Sequence, residues 1–154
     1  MTNKLYFDFV NDMFNSVIAK KYGIDNTTND PIILSNLLNL IWYLLNPLRV
    51  LIGKPIIIEC AYRCQKLNEL LRGAKTGHPQ GYCADILVKG LTQEKLFWTI
   101  VSLIKTGKIK FWDQIIWEKD SNCLHVSYNA KNNRKQILIR TKNNNTYKYE
   151  DVKF

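Results

Sequence analysis

Residues 73–88 read GAKTGHPQGYCADILV, and the way this run divides sets the organisation of the whole chain. Its first half carries Gly73, Gly77, Gly81 and Pro79, residues that interrupt regular structure, so 73–82 is expected to be a loop. Its second half, CADILV, is short and β-prone, which predicts a strand over 83–88. Gly81 lets the backbone between them turn sharply, so that His78 and Asp85, seven residues apart, can converge.

Upstream, PIIIECA (55–61) reads as a buried strand and QKLNELLR (65–72) as a short helix. Asp30 is placed to cap a helix with Pro31 at its first position, and Leu34, Leu37, Leu38, Ile41, Leu44, Leu45 and Leu48 form its apolar stripe until Gly53 and Pro55 close it. Leu5, Phe9, Met13 and Val17 recur at helical spacing, which predicts an amphipathic helix over 3–21, followed by the polar turn DNTTND. Downstream, Thr92 caps a helix that buries Leu96, Phe97, Ile100, Val101 and Ile104 and stops at Gly107. WDQIIWE, CLHVSY, QILIRT and TYKYE are then four short β-prone runs separated by Asn-, Lys- and Ser-rich turns, which predicts an antiparallel meander. The expected fold class is α+β: one domain over 1–154, an antiparallel sheet flanked by helices.

Bulk composition narrows the partners. A chain of 154 residues, 46% apolar, needs no second domain to build a core. Lys and Arg outnumber Asp and Glu by 22 to 13, and the +9 balance favours an anionic partner. The basic stretches at Lys105 to Lys110 and Lys131 to Lys135 lack aromatic interleaving, so no nucleic acid is expected. The apolar segment Ile32 to Ile52 is interrupted by Asn36, Asn39, Asn46, Pro47 and Arg49, which fits a core helix and no membrane partner. MTNKLYFDFVNDMF lacks the pattern of a secretory signal, so synthesis in the cytoplasm is expected. Cys60, Cys64, Cys83 and Cys123 form no CxxC pair and are expected to be reduced and mostly buried.

The chain has two histidines, and each sits beside a strand signal. His78 and Asp85 can meet through the turn at Gly81, and His125 can join them from the later strand CLHVSY. Two imidazoles and one carboxylate suit a single zinc ion at neutral pH and leave one coordination position open, the catalytic arrangement. Cys83 and Cys123 each precede a proposed ligand by two residues, so strand alternation points either thiol to the metal's face. A buried small apolar role is the alternative for both.

The blocks DNTTNDP, NLLNL, PLR, GKPIII, CAYR, LNELLRGAKTGH, HPQGYCAD and CLHVSY together resemble the zinc D-Ala-D-Ala carboxypeptidase and endolysin peptidase family. The resemblance runs from about residue 20 to about residue 130 and implies a hedgehog-like zinc fold. Carried over residue by residue, it puts zinc on His78, Asp85 and His125, the trio reached from coordination chemistry. It implies that Glu118, at the end of WDQIIWE, is the general base, with Asp113 and Asp120 as weaker alternatives. It implies that Arg63, within CAYR, grips a substrate carboxylate by two parallel hydrogen bonds. Thr76, Tyr62, Ser127 and Tyr128 are candidates to line the cleft, with core packing the alternative for the tyrosines. The chain departs from the family pattern at Gly77 and Cys60, positions that bear on substrate preference.

The expected activity is zinc-dependent hydrolysis of peptidoglycan stem peptides at or next to a D-amino acid, as a carboxypeptidase or an L-Ala-D-Glu endopeptidase. The expected setting is a monomer acting on the cell wall after release, or as part of a phage particle. The alternative class is a zinc-stabilised wall-binding or structural module, which a Cys123 thiolate closing the metal site would favour. A basic nucleic-acid binder is the third reading, and would show salt-dependent affinity indifferent to chelator.

Overall fold

A computed structural model describes residues 3–154. The sheet is set by the period-two runs. β1 (Ile56–Cys60), β2 (Cys83–Val88), β3 (Gln114–Glu118), β4 (Leu124–Ser127), β5 (Gln136–Asn143) and β6 (Thr146–Asp151) form one six-stranded sheet. Its spatial order is β1-β2-β4-β3-β5-β6. All pairings are antiparallel except β3 with β5, which is parallel. The expected meander is therefore corrected. The chain leaves β4, crosses β3 and returns beside it in the same direction, and the β5–β6 hairpin forms the sheet's far end. The α+β class stands.

Helices form where caps and apolar stripes coincide. Asp30 accepts from the Ile32 N–H at 2.8 Å and starts α2 (Pro31–Leu40). A π-helical turn at Ile41–Leu45 leads without a break into α3 (Asn46–Ile52). Pro47 has no N–H to give to the carbonyl four residues back, and the widened turn directly before it absorbs that loss. Leu37, Ile41, Leu44, Leu45 and Leu48 of the expected stripe are completely buried and Leu40 joins them, whereas Leu34 is half-buried and Leu38 is 39% exposed. The chain then forms α4 (Gln65–Leu70) and α5 (Gln93–Lys105), the latter capped by Thr92. α5 packs on β2, β3 and β4, and its buried stripe joins those of α2 and α3 in one core.

The N-terminal expectation fails. In place of a helix over 3–21, residues 3–8 lack helical structure, a π-helical turn covers Phe9–Met13, and α1 spans only Val17–Lys21. Two side chains interrupt the helical spacing: Asp8 accepts from the Asn11 N–H, and Ser16 accepts from the Ala19 N–H. Asn46 binds the segment ahead of them from the core side, accepting from the Tyr6 N–H and donating to the Lys4 carbonyl. These local caps offer the backbone better partners than one continuous helix. The four cysteines are free, as expected, but only Cys83 is buried; Cys60, Cys64 and Cys123 are half-buried.

Candidate metal centre and active-site cleft

Alternation along the strands sorts side chains onto two faces. Ala84, Ile86, Ile115, Leu124, Val126 and Ile137 enter the core beneath the helices. Cys83 and Asp85, His125 and Ser127, and Gln114, Ile116 and Glu118 take the opposite face, where they line an open cleft of about 670 Å³. The β2–β4 register sets Asp85 directly across from His125. His78 arrives from the loop, in a single 3₁₀ turn (His78–Gln80) that Gly81 ends in the left-handed conformation at φ 78°.

The three residues meet around one carboxylate. Asp85 Oδ1 lies 3.0 Å from His125 Nδ1, and Asp85 Oδ2 lies 3.3 Å from His78 Nε2. His78 Nδ1 sits 2.6 Å from the Ala61 carbonyl. A carbonyl only accepts, so Nδ1 carries a proton and Nε2 is the nitrogen offered to the cleft. Cys83 Sγ and one ring nitrogen each of His78 and His125 lie within 4.8 Å of one another, as do donor atoms of Cys60, His78 and Asp85. Cys123 does not line the cleft, and burial, reinforced by Asp85, pushes its thiol up to about 12. Of the two thiols singled out by alternation, only Cys83 reaches this group.

The charges explain what the cluster is built to hold. Burial alone would lower both imidazoles, but the negative charges of Cys83 and Asp85 outweigh it. His78 is raised well above the usual histidine value, and His125 is raised to about 10. Burial likewise would raise Asp85, yet His78 and His125 hold it well below the usual carboxylate range. The same imidazoles draw the Cys83 thiol down to about 7 against its burial. Two imidazoles facing the half-buried Asp85 and the buried Cys83 form a donor set of the kind that one divalent cation satisfies. The residues present fit zinc.

The remaining expected site residues divide. Arg63, Thr76, Glu118 and Ser127 line the cleft. Arg63 Nη2 is 3.4 Å from Asp85 Oδ2, and its Nε donates to Cys60 Sγ at 3.1 Å. Glu118 is half-buried; burial raises its carboxyl, and Arg140, with Nη1 2.8 Å from Oε1, works against that rise. Ser127 Oγ accepts from the Gln114 N–H and donates to Asp113, so its hydroxyl is committed to the sheet. Tyr62 is corrected: it is 7% exposed and packs edge-on against Phe14 in the core, outside the cleft. Tyr128 similarly packs against Tyr43 and Phe111. Asp113 reaches the cleft wall but is held by Arg134, and Asp120 pairs with Arg140.

Sequence reasoning missed Arg140, Arg134, Tyr147 and Tyr149, which also line the cleft. QILIRT is legible as a strand, but nothing in it signals a parallel pairing with β3. Residues 7–126 match the family model described as Peptidase M15. No curated protein matches the chain.

Proposed function

The chain belongs to the peptidase M15 family of zinc peptidases, and from that footing we propose that its cleft hydrolyses peptidoglycan stem peptides at or next to a D-amino acid. The observation that most supports this reading is the convergence of His78, Asp85 and His125 in an open cleft that also holds the half-buried Glu118. Zinc held by those three residues supplies, when bound, the Lewis acidity that polarises the scissile carbonyl and the attacking water.

The chain's own side chains do the rest. Glu118 takes a proton from the attacking water and returns it to the leaving amine, a task suited to a carboxyl whose pKa burial has raised. Arg63, half-buried beside Asp85, presents its guanidinium to a free substrate carboxylate. A terminal D-Ala carboxylate in that place makes the enzyme a carboxypeptidase; the α-carboxylate of D-Glu makes it an L-Ala-D-Glu endopeptidase. Thr76 lies on the exposed loop at the rim and contributes to the wall on that side. The +9 charge favours retention on anionic wall polymers. We assign the protein to the cell wall, as a monomer acting after release at lysis or on a phage particle.

One observation favours a second reading. Cys83 Sγ lies within the reach of His78 and His125, and a thiolate filling the open metal position would leave a zinc-stabilised wall-binding module. Digestion of stem peptides by zinc-loaded protein, with products identified by mass spectrometry, separates the two. Release of terminal alanine defines a carboxypeptidase, and a cut after L-Ala an endopeptidase. Glu118→Gln is expected to lower the rate by about 10²- to 10⁴-fold while keeping its zinc. No cleavage by wild-type protein carrying one zinc selects the binding module.

A further inference from the structure

Arg140 lies on β5, beyond the residues matched to the family. The parallel register sets it directly beside Glu118, and the Lys119 N–H donates to the Arg140 carbonyl at 3.0 Å. The two side chains are similarly sheltered, at 17% and 19% exposure, and their charged ends meet at 2.8 Å. Arg140 is itself held on several sides. Its Nε and Nη2 donate to Asp120 at 3.1 to 3.3 Å, and its guanidinium lies 4.6 Å from the centre of the Tyr147 ring. A guanidinium fixed by a second carboxylate and an aromatic face has little freedom left, so the carboxylate it holds inherits that order.

We propose that Arg140 is a positioning residue for the general base: it engages Glu118 Oε1, fixes the carboxylate at the cleft wall, and leaves Oε2 for the reacting water. The inference rests on Glu118 acting as the base. It makes the β5–β6 hairpin part of the active site. Four charged groups act on Glu118: Arg140 from β5, Asp85 from β2, His125 from β4 and Asp120 from the turn after β3. Burial, Asp85 and Asp120 favour the protonated acid, while Arg140 and His125 favour the carboxylate. Removing Arg140 therefore raises the Glu118 pKa and loosens its geometry.

The test compares zinc-loaded wild type with Arg140→Gln, Arg140→Lys and, as a control on α5, across the sheet from the cleft, Lys95→Gln. Thermal melting shows that each variant is folded. With stem peptides, Arg140→Gln is expected to lower kcat about 10- to 100-fold with little change in KM. Its acid limb should move to higher pH. Arg140→Lys should restore much of kcat, since a cation still faces Glu118, and Lys95→Gln should behave as wild type. A loss confined to KM, or an unmoved kcat and acid limb in folded Arg140→Gln, overturns the proposal. Carboxyl ¹³C titration of Glu118, assigned with Glu118→Gln, reads the same pairing without turnover. A wild type that cleaves nothing would overturn the peptidase reading, and the titration alone would then decide the pairing: a Glu118 pKa that rises in Arg140→Gln supports it, and one that stays put overturns it.

Discussion

Asp113 was a weaker sequence candidate for the base, and its surroundings give it another task. It is 4% exposed and accepts from the Arg134 N–H, from Arg134 Nε and Nη2, and from Ser127 Oγ. Burial raises its carboxyl, but the bonds from Arg134 outweigh that and hold it below the usual carboxylate range. A depressed folded-state pKa stabilises the fold above the unfolded-state value, and that stability is lost as pH falls through the folded-state value. Asp113→Asn is accordingly expected to cost about 1–3 kcal/mol at pH 7. The gap to wild type should begin to narrow below about pH 4, and urea unfolding at pH 7 and pH 3 measures it. An equal gap at both pH values would assign the effect to packing. Sequence could nominate Asp113 by residue type alone; that Arg134 would occupy it depends on how the chain returns to β5. Glu118 shows the same limit, since its position was legible and its cation was not.

Local rules decided the loop before β2 and misjudged the N-terminal segment. At Gly81 the left-handed turn brings the backbone against α2, where an added Cβ would sit 2.9 Å from Leu37 Cγ and 3.0 Å from the Ile33 carbonyl oxygen. The carbonyl belongs to a helix and cannot yield cheaply. Gly81→Ala is therefore expected to destabilise by about 2 kcal/mol or more, combining left-handed strain with the contact. It should also weaken zinc binding, because His78 sits in the same turn; thermal melting and a competitive zinc titration read the two effects. An unchanged melting temperature would show that the turn relaxes at no cost. The helix expected over 3–21 failed because spacing records which residues face inward, not what the backbone bonds to. Asp8, Ser16 and Asn46 supplied competing partners, two of them local and the third about 40 residues away.

The candidate metal centre joins the loop carrying His78, and β2 with Asp85 just after it, to β4 with His125, 40 residues beyond Asp85. A cation bound there holds the native arrangement and finds no equivalent in the unfolded chain. Zinc at about 100 times its dissociation constant is expected to stabilise by about 2.7 kcal/mol. For a domain of this size that raises the melting temperature by about 5–10 °C, which a chelator reverses. His125→Ala should melt at the same temperature with and without zinc; a zinc-dependent rise surviving in that variant would place the ion elsewhere. At this scale the division between sequence and structure is plain. Period-two and 3.6-residue patterns, caps and ligand chemistry are carried by residue identity over short spans, so the strands, most of the α2–α3 stripe, the α5 stripe and the convergence of His78, Asp85 and His125 could be read directly. Backbone hydrogen bonds are the same for every strand, so residue identity says little about which strand pairs with which. Only the tertiary structure decided that β5 runs parallel to β3, that Arg140 faces Glu118, and that Tyr62 belongs to the core.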